Sequence, residues 1–213
     1  MSSPVTEKGY HQGRVPANKG CRLPPEILTE SEARDLIRAC SNRAPTGIRN
    51  RALISLMYRG GLRISEALAL RSKDIDSDRG TVAVLHGKGD TSRVVGLDPG
   101  ALALVLRWAD RRKALGLNDG HTPFICTLKG TNLKPSYVRS LLPRLAQRAG
   151  IIKRVHPHGL RHTHAFELMM EGTPVPIIQR QLGHASLATT DRYLRHIAPA
   201  DVIAHMQARD WSV

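Results

Sequence analysis

The densest chemistry in the sequence lies in residues 155–165, V-H-P-H-G-L-R-H-T-H-A, where His156, His158, His162 and His164 surround Arg161. Two readings fit this cluster. His158 and His162 are four apart, so on a helix they would face one metal ion. No H-E-x-x-H glutamate accompanies them, however, and no cysteine or acid stands in ligand register. His158 and Arg161 are three apart and would place a titratable imidazole beside a fixed cation at a helix N-terminus, an arrangement suited to a phosphodiester. On this reading His156 and His164 are structural histidines.

Three further segments fit only the phosphodiester reading. G-L-R-I-S-E-A-L places Arg63 just after a Gly-Gly break, at the mouth of a helix. H-G-K-G-D-T-S-R places Lys88 between two glycines at a hairpin tip, where a lysine can reach into a cleft. L-G-H-A-S-L-A-T-T-D-R-Y-L places His184 after a glycine and Tyr193 nine residues later. Each is weak alone, since an arginine near a helix start usually lies on the surface and a tyrosine usually in the core. The combination is what carries weight.

These residues need a frame to hold them. Thr29 and Glu32 form a capping box at the start of a helix in which Ala33, Leu36, Ile37 and Cys40 recur at helical spacing. A second helix carries Leu53, Ile54, Leu56 and Met57 up to the Gly60-Gly61 stop, and a short third spans 63–70. Residues 74–80 read as a turn, 81–86 and 93–97 as the strands of a small antiparallel sheet. Asp98 and Pro99 open a long helix that ends at Gly116. A short strand is predicted over Pro123 to Cys126, followed by helices over 136–149, 159–171, 175–182, 186–194 and 200–208. The expected fold is therefore mainly α with a small antiparallel β-sheet near the N-terminal third (α+β). One core is expected, with residues 1–25 as a flexible basic lead-in.

Composition narrows the partner. Lys and Arg number 32 against 18 Asp and Glu, a net charge of +14 with a pI near 10.5, which points to a polyanion. Within residues 101–150 the basic residues Arg107, Arg111, Arg112, Lys113, Lys129, Lys134, Arg139, Arg144 and Arg148 face only Asp110 and Asp119. All of these except Lys129 are candidate DNA contacts, on two helices adjacent in sequence that would follow a phosphate backbone. Aromatic residues make up only 4% of the chain, which argues for duplex over the base-stacking recognition of single strands. Cys21, Cys40 and Cys126 form no C-x-x-C pair and no disulfide framework. No signal-peptide core and no apolar run long enough for a membrane span occurs, so the expectation is a cytoplasmic, nucleoid-associated chain.

The order G-L-R-I-S-E, G-K-G in a hairpin, H-G-L-R-H, L-G-H and T-T-D-R-Y resembles the catalytic domain of tyrosine recombinases, the phage integrase family. The resemblance runs from about residue 26 to 200 in order and spacing. It implies that Arg63 and Arg161 grip a scissile phosphate. It also implies that Lys88 is the hairpin lysine, His158 and His184 the two histidines, Tyr193 the nucleophile and Glu66 a structural support near the first arginine. The implied reaction is metal- and cofactor-independent strand cleavage and rejoining in double-stranded DNA through a 3′-phosphotyrosyl intermediate. Self-association into synaptic dimers or tetramers follows, because exchange cuts four strands. Residues 26–198 would be the catalytic domain and 199–213 a tail helix, carrying Val202, Ile203, Met206 and Trp211, that docks on a neighbouring subunit or on its own domain. Thr91 and Gly96 stand where relatives often have a lysine and a proline. Family members usually carry an additional helical core-binding domain before the catalytic one; here it is expected to be absent and supplied by an accessory protein. The rival readings are a relaxing topoisomerase-like activity, a non-catalytic DNA-binding regulator and a zinc-dependent hydrolase.

Overall fold

The computed structural model describes residues 26–85, 92–117, 120–183 and Gln207. Helix α1 (Glu30–Arg38) starts at the predicted capping box: the Thr29 hydroxyl accepts from the Glu32 backbone N–H, and the Glu32 carboxylate accepts from that of Thr29. Helix α2 (Pro45–Tyr58) is buried on nearly every side and forms the axis of the molecule, packed by α1, α3 (Ile64–Ala69), α4 (Pro99–Ala114) and α6 (Pro157–Met170). It can approach the α1–α2 turn closely because position 47 has no side chain. A Cβ there would lie 2.2 Å from the Ser41 carbonyl oxygen.

After a 3-10 turn at Ser72–Asp74 the chain forms an antiparallel sheet ordered β1 (Ile75–Asp76), β2 (Thr81–Val84), β3 (Arg93–Gly96). Val82 pairs with Val95, and these two together with Val84 face the core. The two-residue β1 lies inside the predicted turn; it pairs with β2 through Ile75 and Val82, too short a stretch for an alternating pattern to reveal. Asp98 caps α4 by accepting from the Ala101 N–H. It also holds the Arg59 guanidinium, which reaches Glu167 on α6, so one arginine fastens α2, α4 and α6 together.

The strand predicted at Pro123 to Cys126 does not form. Only a single bridge, Cys126 to Asn132, is present. The backbone groups of this buried segment bond elsewhere: the Phe124 N–H donates to Leu70, and its carbonyl accepts from the Trp108 indole. Helix α5 (Pro135–Arg148) packs on α1, α3 and α6, and α7 (Val175–Leu182) packs on α6 and β3. Ala165, Ile178 and Leu182 make a small satellite of the main core between α6 and α7. The helices predicted over 186–194 and 200–208, and the lead-in 1–25, lie outside the described residues apart from helical Gln207. Among the described residues no helix is long and apolar enough to cross a membrane. The architecture is mainly helical with a small three-stranded antiparallel sheet.

Candidate active site

Helix α6 begins two residues earlier than its periodicity suggests. His156 is the N-cap, its Nδ1 accepting from the Gly159 N–H at 3.0 Å, and Pro157 fills the first helical position. The cap explains why residue 159 carries no side chain, since a Cβ there would lie 2.4 Å from His156 Nδ1. Burial, reinforced by the Arg154 charge, holds the His156 imidazole below its usual range, so it stays a neutral acceptor. His158 sits in the first turn with its ring edge-on to His162, centroids 4.1 Å apart. Arg161 follows three residues later.

Arg161 is 1% exposed and is seated on backbone. Its Nη1 donates to the Gly61 carbonyl and its Nη2 to the Leu182 carbonyl, linking the Gly-Gly break before α3 to the end of α7. Gly61 takes φ +64°, and a Cβ on it would strike Leu182 Cδ2 at 2.6 Å and His164 Cδ2 at 3.0 Å. The glycine thus brings its carbonyl to the arginine. His164 lies buried beneath, and burial, with the charges of Arg59 and Arg161, pushes its imidazole down to about 4. Both His156 and His164 therefore serve the structure.

Arg63 is held in another way. It caps α3, its N–H donates to Glu66 Oε2 at 2.8 Å, and its Nη1 donates to Oε1 at 2.6 Å. The Glu66 side chain is 2% exposed, against 30% for Arg63. Burial alone would push the Glu66 carboxyl up; hydrogen bonds from Arg93 and Arg63 outweigh it and hold it at about 2. Arg93 is the missing member of this group: its Nη1 and Nη2 donate to the two Glu66 oxygens at 3.0 and 2.8 Å.

Arg63, His158 and Arg161 line one cleft of about 610 Å³, with Arg139, Arg154 and His156 on its other walls. Among the described residues four arginines and no acid line this space, so an anionic oxygen entering it would meet guanidinium donors. Among the described residues no three His, Cys, Asp or Glu side chains are arranged to hold a metal ion. Lys88, His184 and Tyr193 lie outside the described residues. Two other tyrosines are already committed: Tyr58 donates to Glu167 and is pushed up by burial and by that carboxylate, and the Tyr137 hydroxyl accepts from Arg49 and Asn50.

The expected basic surface on α4 and α5 divides. Helix α4 packs mainly on α2, whereas α5 packs on α3 and α6, so only α5 borders the cleft, through Arg139. Arg112 is corrected from DNA contact to structural residue. It is 1% exposed, and its guanidinium donates to Ser72 Oγ and to the Thr122 and Pro123 carbonyls above the Phe124 ring. Arg107, Arg111, Lys113, Lys134, Arg139, Arg144 and Arg148 are all exposed.

Sequence reasoning passed over Arg93 and Arg154. For Arg93 a signal existed. It shares a strand face with Val95, and an arginine on a core-facing position calls for a buried carboxylate. Arg154 stands in an irregular segment whose pattern gives no hint of its position on the cleft.

A model of the phage integrase family matches residues 26–198. The chain is 36% identical over 197 residues to tyrosine recombinase XerC of Xanthomonas axonopodis pv. citri, covering 91% of this chain and 63% of that relative. It is 38% identical over 176 residues to tyrosine recombinase XerD of Ralstonia nicotianae, covering 82% of this chain and 56% of that one. The crystal structure of XerA recombinase superposes with a TM-score of 0.76 at 29% identity, over 95% of this chain and 72% of the other. The XerH site-specific recombinase bound to palindromic difH substrate, a post-cleavage complex, gives 0.71 at 26% identity, over 97% and 57%. The chain thus spans roughly three fifths of the length of the curated relatives it matches.

Proposed function

Since this chain belongs to the phage integrase family, we propose that it is a tyrosine-type site-specific DNA recombinase, cutting and rejoining duplex strands by metal-independent transesterification. The observation that carries this reading is the convergence of Arg63 at the start of α3 with His158 and Arg161 from α6 in one arginine-lined cleft. A phosphodiester repels a nucleophile, and charge builds on its non-bridging oxygens as attack proceeds. Two guanidiniums in fixed seats supply donors to those oxygens without rearranging during the reaction.

In the proposed reaction the Tyr193 oxygen attacks phosphorus as its proton passes to a base, a role that His158 in the cleft can take. The bond to the 5′ oxygen breaks, and Lys88 supplies the proton that oxygen needs to leave. The product is a 3′-phosphotyrosyl ester and a free 5′ hydroxyl. Attack by another 5′ hydroxyl reverses these steps with no net consumption of bond energy. His184 joins the oxygen donors, and Glu66 supports Arg63. Arg139 and the exposed basic residues Arg107, Arg111, Lys113, Lys134, Arg144 and Arg148 contact phosphates flanking the cut.

The same proposal takes residues 26–198 as the catalytic unit and 199–213 as a tail helix that docks in trans. It places the chain on the nucleoid and pairs copies on DNA for exchange, with an accessory protein as a further partner. A pool of nicked suicide duplexes of randomised sequence tests the chemistry. A denaturant-resistant protein–DNA adduct should form in EDTA, and strand cleavage without adduct that is lost in EDTA and restored by zinc would replace this reading with the hydrolase.

A further inference from the structure

Glu66 accepts four donors while 2% exposed: the Arg63 backbone N–H and Nη1, and both terminal nitrogens of Arg93. Arg93 takes the forked, two-oxygen approach, whereas Arg63 reaches only Oε1 with its side chain. The three groups carry a net charge of +1. If Arg93 were missing, Arg63 and Glu66 would form a neutral one-to-one pair three residues apart on one short helix, and the fork on Glu66 would be open to Arg63 itself. An arginine closed onto a carboxylate has neither surplus charge nor donors directed at an incoming anion.

Arg93 also fixes the neighbourhood of that seat. Its Nε donates to the Gln181 carbonyl at 3.2 Å, while the Gln181 amide group donates to the Gly96 carbonyl and accepts from the Gly96 N–H. Arg63 Nη2 meets the next part of the same turn, the Gly183 carbonyl, at 3.3 Å. Gly183 takes φ +65° under the Arg93 side chain, where a Cβ would lie 2.7 Å from Arg93 Cδ. β3, α3 and the end of α7 are thus fastened around one carboxylate.

We infer that Arg93 is a positioning residue: by occupying and neutralising Glu66 it keeps the Arg63 guanidinium available to a phosphate oxygen in the cleft. This deepens the strand-transfer reading and rests on it for its physiological meaning. The test does not need cleavage. Arginine side chains of the full chain are labelled with nitrogen-15, and the Arg63 Nε resonance is followed during titration with inorganic phosphate.

In the wild type that resonance should shift saturably. In Arg93→Gln the phosphate response should weaken at least tenfold, because Arg63 closes onto Glu66. Adding Glu66→Gln should return it to within about threefold of wild type, since no carboxylate is left to capture Arg63. Should Arg93→Gln alone fail to fold, Glu66→Gln is compared with Glu66→Gln/Arg93→Gln, neither of which buries an unpaired carboxylate. These two should bind phosphate alike. A further loss on removing Arg93 in the Glu66→Gln background would mean that Arg93 grips the anion itself and would overturn the inference. So would a wild-type response in Arg93→Gln, or no response at Arg63 in the wild type. Covalent adduct formation is scored separately: its absence from the wild type removes the strand-transfer reading, while the titration still decides the role of Arg93.

Discussion

The two arginines of the cleft are seated by opposite means. Arg161 is buried on α6 and donates to two backbone carbonyls, those of Gly61 and Leu182. Arg63 is partly exposed on α3 and rests on a carboxylate, which would cancel its charge if a second arginine did not share it. The first seat depends on fold geometry: a left-handed glycine and the end of α7 must both arrive. The second depends on ion pairing and persists only while Glu66 is ionised and Arg93 is present. Equal charges in one cleft can therefore fail for different reasons.

The largest effect should follow from Arg161→Ala. Loss of this donor pair should lower adduct formation by about 10³-fold. It should also lower Tm, because the Gly61 and Leu182 carbonyls lose their partner. Arg161→Lys should not recover activity, since one ammonium cannot span two carbonyls and a phosphate. Arg63→Ala should cost about 10²-fold in adduct yet change Tm little, because Arg93 still neutralises Glu66. A larger Tm loss in Arg63→Ala than in Arg161→Ala, read by calorimetry, would reverse the comparison.

Acid should separate the seats next. His164 beneath Arg161 has a folded pKa of about 4 against an ordinary value of 6.5, so the unfolded chain binds more protons between them. The stability that buried neutral His164 represents is full above pH ~6.5 and is lost as pH falls toward about 4, on the order of 3 kcal/mol in all. Glu66, depressed from 4.5 to about 2, keeps its contribution above pH 4.5 and loses it only toward pH 2. The α6 seat should therefore weaken first on acidification. Thermal melts of His164→Phe should lose the slope between pH 6.5 and 4 that the wild type shows; an unchanged slope would place the titrating group elsewhere.

The smallest effects concern affinity. Arg139→Ala should weaken duplex binding several-fold and reduce the slope of log K against log salt by about one. Arg112→Ala should leave that slope unchanged and lower Tm instead, as expected of a buried arginine bonded to Ser72, Thr122 and Pro123. Fluorescence anisotropy at three salt concentrations distinguishes the two.

What the sequence disclosed, and what it hid, follows from the range of the interactions. Caps and breaks are local, so Thr29, Asp98, Gly60-Gly61 and Gly183 could be read directly. Periodicity puts the α6 start two residues late because a histidine cap is an unusual choice over Ser, Thr, Asp or Asn. Segment 123–126 has the apolar content of a strand, but its pairing partners come from α4 and the end of α3, which no period reveals. Charge density suggested eight phosphate contacts, yet one arginine turns inward, because amphipathic arginines can satisfy a core as well as a surface. Arg63, His158 and Arg161 were legible as chemistry. That they share one cleft, and that Arg93 stands behind them, became visible only when α3, α6 and β3 were brought together.

The central claim, that this cleft transfers a DNA strand to a tyrosine, is tested most directly by protease digestion and mass spectrometry of the adduct trapped on nicked duplex. Of the four tyrosines, Tyr58 and Tyr137 are held by Glu167, Arg49 and Asn50, and the proposed reaction uses Tyr193 and not Tyr10, so a single peptide should carry the nucleotide, joined through a 3′ phosphate to Tyr193. Tyr193→Phe should bind duplex as before and give no adduct. A 5′-linked nucleotide, attachment at Tyr10, Tyr58 or Tyr137, or adduct persisting in Tyr193→Phe would contradict the account.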